Sequence, residues 1–270
     1  MVKLEHYNFQ IKHLEEYYLF RYFSSLTRLE SFLKDGIYLA RADKFSDNLE
    51  CISKKEMIKV NKFKYYRELY PEHNPHLSIE ELQKLKNEFQ VNLRDIAGNL
   101  KSNQKKYFIS CWYISNNKLE DELMWRSYGK GSAEKETTDG FMIKINLKDF
   151  KQGLSSLSSD LNPFEKLIIG QVRYYDFSND ESIMEVKYAG FRKHASFSSE
   201  KEFRILFKNN FDSEAPVFIK PPRSFYEDTI IYSHPNIAND RFLSAKQKLK
   251  VFNKDLNMSE LQMWYKLRFL

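Results

Sequence analysis

Four short runs constrain this chain most: YYLFRYF (17–23), KYFISCWYI (106–114), GFMIKINL (140–147) and EKEFRILFK (200–208). Each is dense in aromatic and β-branched residues, is bounded by polar or turn residues, and is too short for a helix with its own apolar face. Such runs read as strands of a half-buried or buried sheet. IYLARADKF (37–45), IIGQVRYYDF (168–177), APVFIK (215–220) and DTIIYSH (228–234) read the same way. A strand-rich second half preceded by helices predicts an α+β fold with flanking helices.

Helices are expected between these runs. In SSLTRLESFLKDG, Thr27 and Glu30 have capping-box spacing, Leu26, Leu29 and Leu33 share a face, and Gly36 offers a left-handed stop. Residues 53–104 are long and charged, and read as a helical insertion. Ile79, Leu82, Leu85, Phe89, Leu93, Ile96 and Leu100 recur at three- and four-residue spacing behind a Ser78/Glu81 capping box. Within it, 54–67 carries Lys54, Lys55, Lys59, Lys62, Lys64 and Arg67 against Glu56, either a solvated face or a docking face for a polyanion. KLEDELMWRSYGKG reads as a short helix running into a Gly-bounded loop, DESIMEVKYAGFRKH as another helix, and 238–251 and 258–270 as two closing helices. Leu261, Trp264, Tyr265 and Leu267 suit a docked tail. With 42% hydrophobic residues, the 270-residue chain is expected to form one domain carrying the insertion.

The net charge of +6 permits a polyanionic partner without requiring one. Two cysteines, Cys51 and Cys111, build neither a disulfide framework nor a zinc knot. The start MVKLEHYNFQ lacks the apolar core of a secretory signal, and no apolar run approaches a membrane span. A cytoplasmic protein without a membrane partner is expected.

No G-x-G-x-x-G follows a strand, GKGS (129–132) lacks P-loop order, and neither H-E-x-x-H nor G-x-S-x-G occurs. His73 and His76 fall in a proline-rich turn, so no metal site is assigned. Four candidates remain. Arg21 lies within an aromatic strand and needs an anion, either one of the chain's own carboxylates or a ligand phosphate or ribose. Asp47, Asn48 and Glu50 in FSDNLE are turn chemistry or the mouth of a site. Trp125 and Tyr128, one helical turn apart, are core or a wall for a planar ring. Glu200 and Glu202 sit two positions apart, so on a strand they share a face. There Arg204 neutralises them, or they meet a ligand that favours negative charge.

Together these suit cleavage of the nicotinamide–ribose bond of NAD. Arg21 would take the pyrophosphate, aromatic faces the cationic ring, and a carboxylate the positive charge that builds on the ribose. Two other readings stay open. One is a metal-dependent nuclease with Glu200, Glu202 and Asp47 around Mg²⁺. The other is a non-catalytic module for nucleic acid or protein, in which E-x-E-x-R is a structural charge ladder.

The ordered series LFRYF, FSDNLE, FISCWYISNN, LMWRSYGKG, GFMIKI, QVRYYD and EKEFRILF resembles the bacterial domain of unknown function 2971, over most of 18–235 apart from the helical insertion. Ser46 and Leu49 stand where that family favours Asn and Pro, and GKGSAEKETTDG lengthens the loop after Tyr128. The family looks distantly related to ADP-ribosyltransferases, which bind NAD on a split sheet without a Rossmann motif, and this resemblance implies a split antiparallel or mixed β-sheet core. The resemblance implies that Arg21 holds NAD, with Ser110 and Asp47 beside it. Tyr128 and Trp125 would pack on the nicotinamide, and Glu202 would be the catalytic carboxylate assisted by Glu200. It also implies a toxin-like or phage-defence role, a nucleic-acid or protein acceptor, and an antitoxin or immunity partner.

Overall fold

The structure, a computed structural model, describes residues 3–8, 10–47, 50–51, 76–129, 139–157, 166–176, 186–209 and 215–262. The strands are β1 (Lys3–Tyr7), β2 (Tyr18–Phe23), β3 (Ile37–Arg41), β4 (Tyr107–Ser115), β5 (Phe141–Asn146), β6 (Lys166–Gln171), β7 (Arg173–Tyr175), β8 (Arg192–His194), β9 (Glu202–Lys208), β10 (Val217–Ile219), β11 (Ile230–Ser233) and β12 (Leu256–Asn257). The helices are α1 (Leu26–Asp35), α2 (Ile79–Gln104), α3 (Glu122–Tyr128), α4 (Leu147–Ser155), α5 (Arg223–Glu227) and α6 (Asn239–Leu249). The fold is α+β. Its main sheet is mixed, in the order β1-β6-β9-β4-β2-β5-β11-β12, with β3 attached to β4 and β10 to β3. β1–β6 and β11–β12 are parallel and the other pairs of this sheet antiparallel, while β7 and β8 form a separate parallel pair.

The sheet forks along one edge of β4. β2 pairs with its later part, Tyr18–Phe20 opposite Tyr113–Ser115, and β3 pairs with its earlier part, Ala40–Arg41 opposite Phe108–Ile109. Ser110, Cys111 and Trp112 lie between, in register with neither. One face of the sheet carries the main core, in which Leu19, Trp112, Ile143, Phe203 and Ile205 pack with Phe32, Phe150, Phe225 and Phe242 from the helices. The other face carries two smaller clusters, one around Ile109, Phe191 and Leu206, the other around Phe20, Tyr113, Met124 and Trp125. The register puts Cys111 opposite Arg204 and Tyr113 opposite Glu202, so charged side chains fall on this second face between its two apolar patches.

Local signals hold in part. Ser78 and Glu81 form the expected capping box, with both reciprocal bonds present. The cap of α1 is Ser25 rather than Thr27, because the hydroxyl of Ser25 accepts from the backbone N–H of Arg28. Gly36 ends α1 at φ 108°, and a Cβ there would meet the Ile219 carbonyl oxygen at 2.1 Å, so only glycine lets β10 close on β3. Of the apolar stripe on α2, Leu82 and Leu100 are buried, whereas Ile79 is 86% exposed. The rest of the expected insertion, 53–75 with its basic run, lies outside the described residues. The helix expected over 180–194 is not one in its described part. Val186–Phe191 is a 3-10 turn and Arg192–His194 is extended, because β8 pairs with β7. The closing helix over 238–251 is present as α6. Before the second, expected over 258–270, Leu256–Asn257 is a strand on β11; within it, Leu261 packs on the Phe20–Trp125 cluster, and 263–270 with Trp264, Tyr265 and Leu267 lie outside the described residues. Among the described residues no helix is long and apolar enough to cross a membrane.

Candidate functional site

A cavity of about 370 Å³ opens at the fork. It is lined by Phe20, Arg21 and Tyr22 of β2, Arg28 of α1, Ala40 of β3, Ile109 to Tyr113 of β4 apart from Ser110, and Tyr128 of α3. Met124 of α3, Phe45 to Asp47, Glu50, Lys193, Phe197, Glu200 and Glu202 complete it. Its size falls within the ~300–1,000 Å³ common for small-molecule sites.

Arg21 occupies the fork itself. Its guanidinium donates to Ser110 Oγ and, at 3.1 Å, to the Tyr38 carbonyl, and lies 5.4 Å from the Trp112 ring centroid. Among the described residues no carboxylate pairs with it. Desolvation lowers its pKa to about 10, which still leaves it cationic at neutral pH. Ser110, expected as a direct contact, is 1% exposed and absent from the cavity wall. It lies behind Arg21 and also accepts from Trp112 Nε1 at 3.0 Å.

The acidic end is built differently from the expectation. Glu200 is not on the strand. It ends a 3-10 turn (Ala195–Glu200), Lys201 follows in the left-handed region at φ 39°, and β9 begins at Glu202. The two carboxylates converge because Lys193 of β8 binds both, Glu200 Oε2 and, at 2.6 Å, Glu202 Oε1. Arg204 neutralises only Glu202, through Nε at 2.5 Å, and grips Glu50 at 2.5 and 3.1 Å. It also donates to the Gly190 carbonyl at 2.6 Å. A Cβ on Gly190 would lie 2.2 Å from Leu206 Cδ1, so the end of that leucine would have to shift. The backbone N–H of Glu202 donates to Tyr174 Oη at 2.8 Å.

The two glutamates are driven apart electrically. Burial raises the Glu202 pKa, but Arg204, the contact with Glu200 and Lys193 outweigh it and bring it well below the carboxylate range. Burial and the neighbouring Glu202 raise that of Glu200. One member of the pair is thus a fixed anion and the other holds its proton more tightly. Burial pushes both Cys51 and Cys111 up, so neither thiol is an activated nucleophile.

Tyr128 stands at the cavity wall, 45% exposed, and donates to Glu200 Oε1 at 2.8 Å. α3 presents it because Asp121 caps that helix and also accepts from Tyr113 Oη. Trp125, expected beside it, belongs to the core instead. It is fully buried, donates to Glu120 Oε2 at 2.7 Å and packs edge-on against Tyr22 and His234. At about 3.6 residues per turn, side chains three apart stand about 60° from each other around the helix axis, which lets one face inward and the other the cavity. Asp47 lines the cavity; Asn48 lies outside the described residues.

Lys193 was not legible as a site residue, because FRKH read as the end of a helix. Its one signal is a basic residue just upstream of E-x-E. Among the described residues no group of three or more His, Cys, Asp or Glu side chains is placed to hold a metal ion. Glu50 and Glu202 already carry arginine and lysine as counterions.

Neither the curated proteins nor the solved structures include a match to this chain. Residues 124–205, which hold Tyr128, Lys193, Glu200, Glu202 and Arg204, match the family described as protein of unknown function (DUF2971).

Proposed function

We propose that the chain is an NAD-dependent, mono-ADP-ribosyltransferase-like enzyme that uses NAD as substrate and passes ADP-ribose to a macromolecular acceptor. The observation that carries this reading is the polarity of the cavity. Arg21, a cation with no carboxylate partner among the described residues, lines it together with Glu200 and Glu202. NAD has matching ends. Its pyrophosphate suits the planar fork of Arg21, with Arg28 near by, and its cationic nicotinamide suits Tyr128 and the acidic wall.

The nicotinamide C1′–N bond breaks and its electron pair leaves with neutral nicotinamide. Positive charge on the ribose faces the fixed anion Glu202. The acceptor's lone pair closes the new bond to C1′, and its proton passes by way of Glu200 to water. NAD supply makes the cytoplasm the place of work, and a toxin-like or phage-defence role would call for an immunity partner. The pairing of both Glu200 and Glu202 with Lys193 argues against the metal-dependent nuclease.

The test is nicotinamide release from NAD, with calorimetric titration of NAD alongside. Glu202→Gln is expected to lower release by about a hundredfold or more, and Tyr128→Ala to weaken NAD binding, with far-UV spectra unchanged. Equal release by wild type and Glu202→Gln, or a wild type that does not bind NAD, sinks the reading.

A further inference from the structure

A second cavity of about 410 Å³ abuts the first. The two share Glu202 and run end to end along β4, where Tyr113 and residues before it line the first, and Ile114, Ser115 and Asn116 the second. The 3-10 turn before β9 is a common wall: Phe197 and Glu200 face one cavity, Ser198 and Lys201 the other. A transfer reaction needs its second substrate to approach the same carboxylates from another side. We propose that this second cavity receives the acceptor, an unpaired nucleobase of a single-stranded nucleic acid.

The lining chooses that class. Asn8, Asn116 and Gln171 bring amides, each with a donor and an acceptor edge of the kind that reads nucleobases, and Tyr17 and Tyr174 bring aromatic rings. Lys201 is the cation of the lining, and Arg173 adjoins it, donating to Asn8 Oδ1 at 2.9 Å. Glu202 is the one carboxylate of the lining, and Lys193 and Arg204 already hold it. A basic peptide would therefore meet like charge, whereas a phosphate backbone would meet Lys201. Backbone strain adds to the case. Four described non-glycine residues have positive φ, and two of them, Asn8 at 49° and Lys201 at 39°, line this cavity.

The assignment of this ligand as acceptor rests on the NAD reading; the nucleic-acid site itself does not. The test is fluorescence anisotropy with short, mixed-sequence, fluorescein-labelled single-stranded RNA and DNA at physiological salt, with NAD titrated separately. Asn116→Ala combined with Gln171→Ala, and separately Lys201→Glu, are expected to weaken oligonucleotide binding by about tenfold or more. Their melting temperatures and NAD affinity should stay unchanged, since Asn116 and Lys201 are exposed. Equal affinity of variants and wild type overturns the proposal, and so does a wild type that binds an unfolded peptide but no oligonucleotide. Oligonucleotide binding without NAD binding upholds the site and overturns the NAD reading instead.

Discussion

The paired glutamates make opposite contributions to stability as pH changes. Glu202 has a folded pKa below its ordinary value of 4.5, so the stability it provides is present above that value and is lost as pH falls from there. Glu200 has a raised pKa, so its contribution is present below 4.5 and is lost as pH rises through the raised value. Glu202→Gln is therefore expected to destabilise at pH 7, by about 3 kcal/mol for breaking a buried pair, and to flatten the acid limb of stability. Glu200→Gln should leave that limb in place. Urea unfolding at a series of pH values reads both; an acid limb unchanged in Glu202→Gln would contradict the assignment. Residue types were legible here and their partners were not. Arg21 plainly needed an anion, but only the folded chain shows that no described carboxylate reaches it. Trp125 and Tyr128 had equal claims as wall residues until Asp121 set the rotation of their helix.

At the scale of elements, strands were easier to read than the turns between them. The runs at 17–23, 106–114 and 140–147 carry their own apolar content, so local pattern and tertiary burial agree. EKEFRILFK was read one turn too long, since nothing local distinguishes Lys201 in a strand from Lys201 at φ 39°. The ladder begins at Glu202, in register with Tyr113, although the carbonyl of Lys201 before it already accepts the N–H of Ile114 at 3.0 Å. The fork between β2 and β3 was beyond reach for a similar reason: it depends on which halves of β4 two distant strands choose. Lys201 tests the turn. Lys201→Gly is expected to change stability by less than about 1 kcal/mol, because relief of the left-handed backbone offsets added chain entropy. Lys201→Pro, which cannot reach that φ and loses the N–H that donates to Ser198 at 3.3 Å, should cost more than about 1 kcal/mol. It should also separate Glu200 from Tyr128 and Lys193. Thermal melts and nicotinamide release of the two variants check this; similar melts for both would show that the turn is not held by its backbone.

Across the whole molecule, one guanidinium ties together segments far apart in the chain. Arg204 is fully buried and meets Glu50, Gly190 and Glu202 at once. Arg204→Met leaves Glu50 buried without its cation and Glu202 with Lys193 alone, at a cost of about 3–5 kcal/mol. Replacing all three partners, Glu50→Gln with Arg204→Met and Glu202→Gln, should recover much of that loss, because no unpaired charge then stays inside. Guanidinium denaturation of the single and triple variants measures the difference, and a triple variant no more stable than the single one would show that the network does more than balance charge.

The pairing of Glu50 with a residue 154 positions later also has a consequence for how the protein is made. While the nascent polypeptide is still short of Arg204, Glu50 has no counterion and is better left in water than enclosed. The walls of the cavity can thus close only in the last quarter of translation, and a ribosome product that stops early emerges without a working pocket.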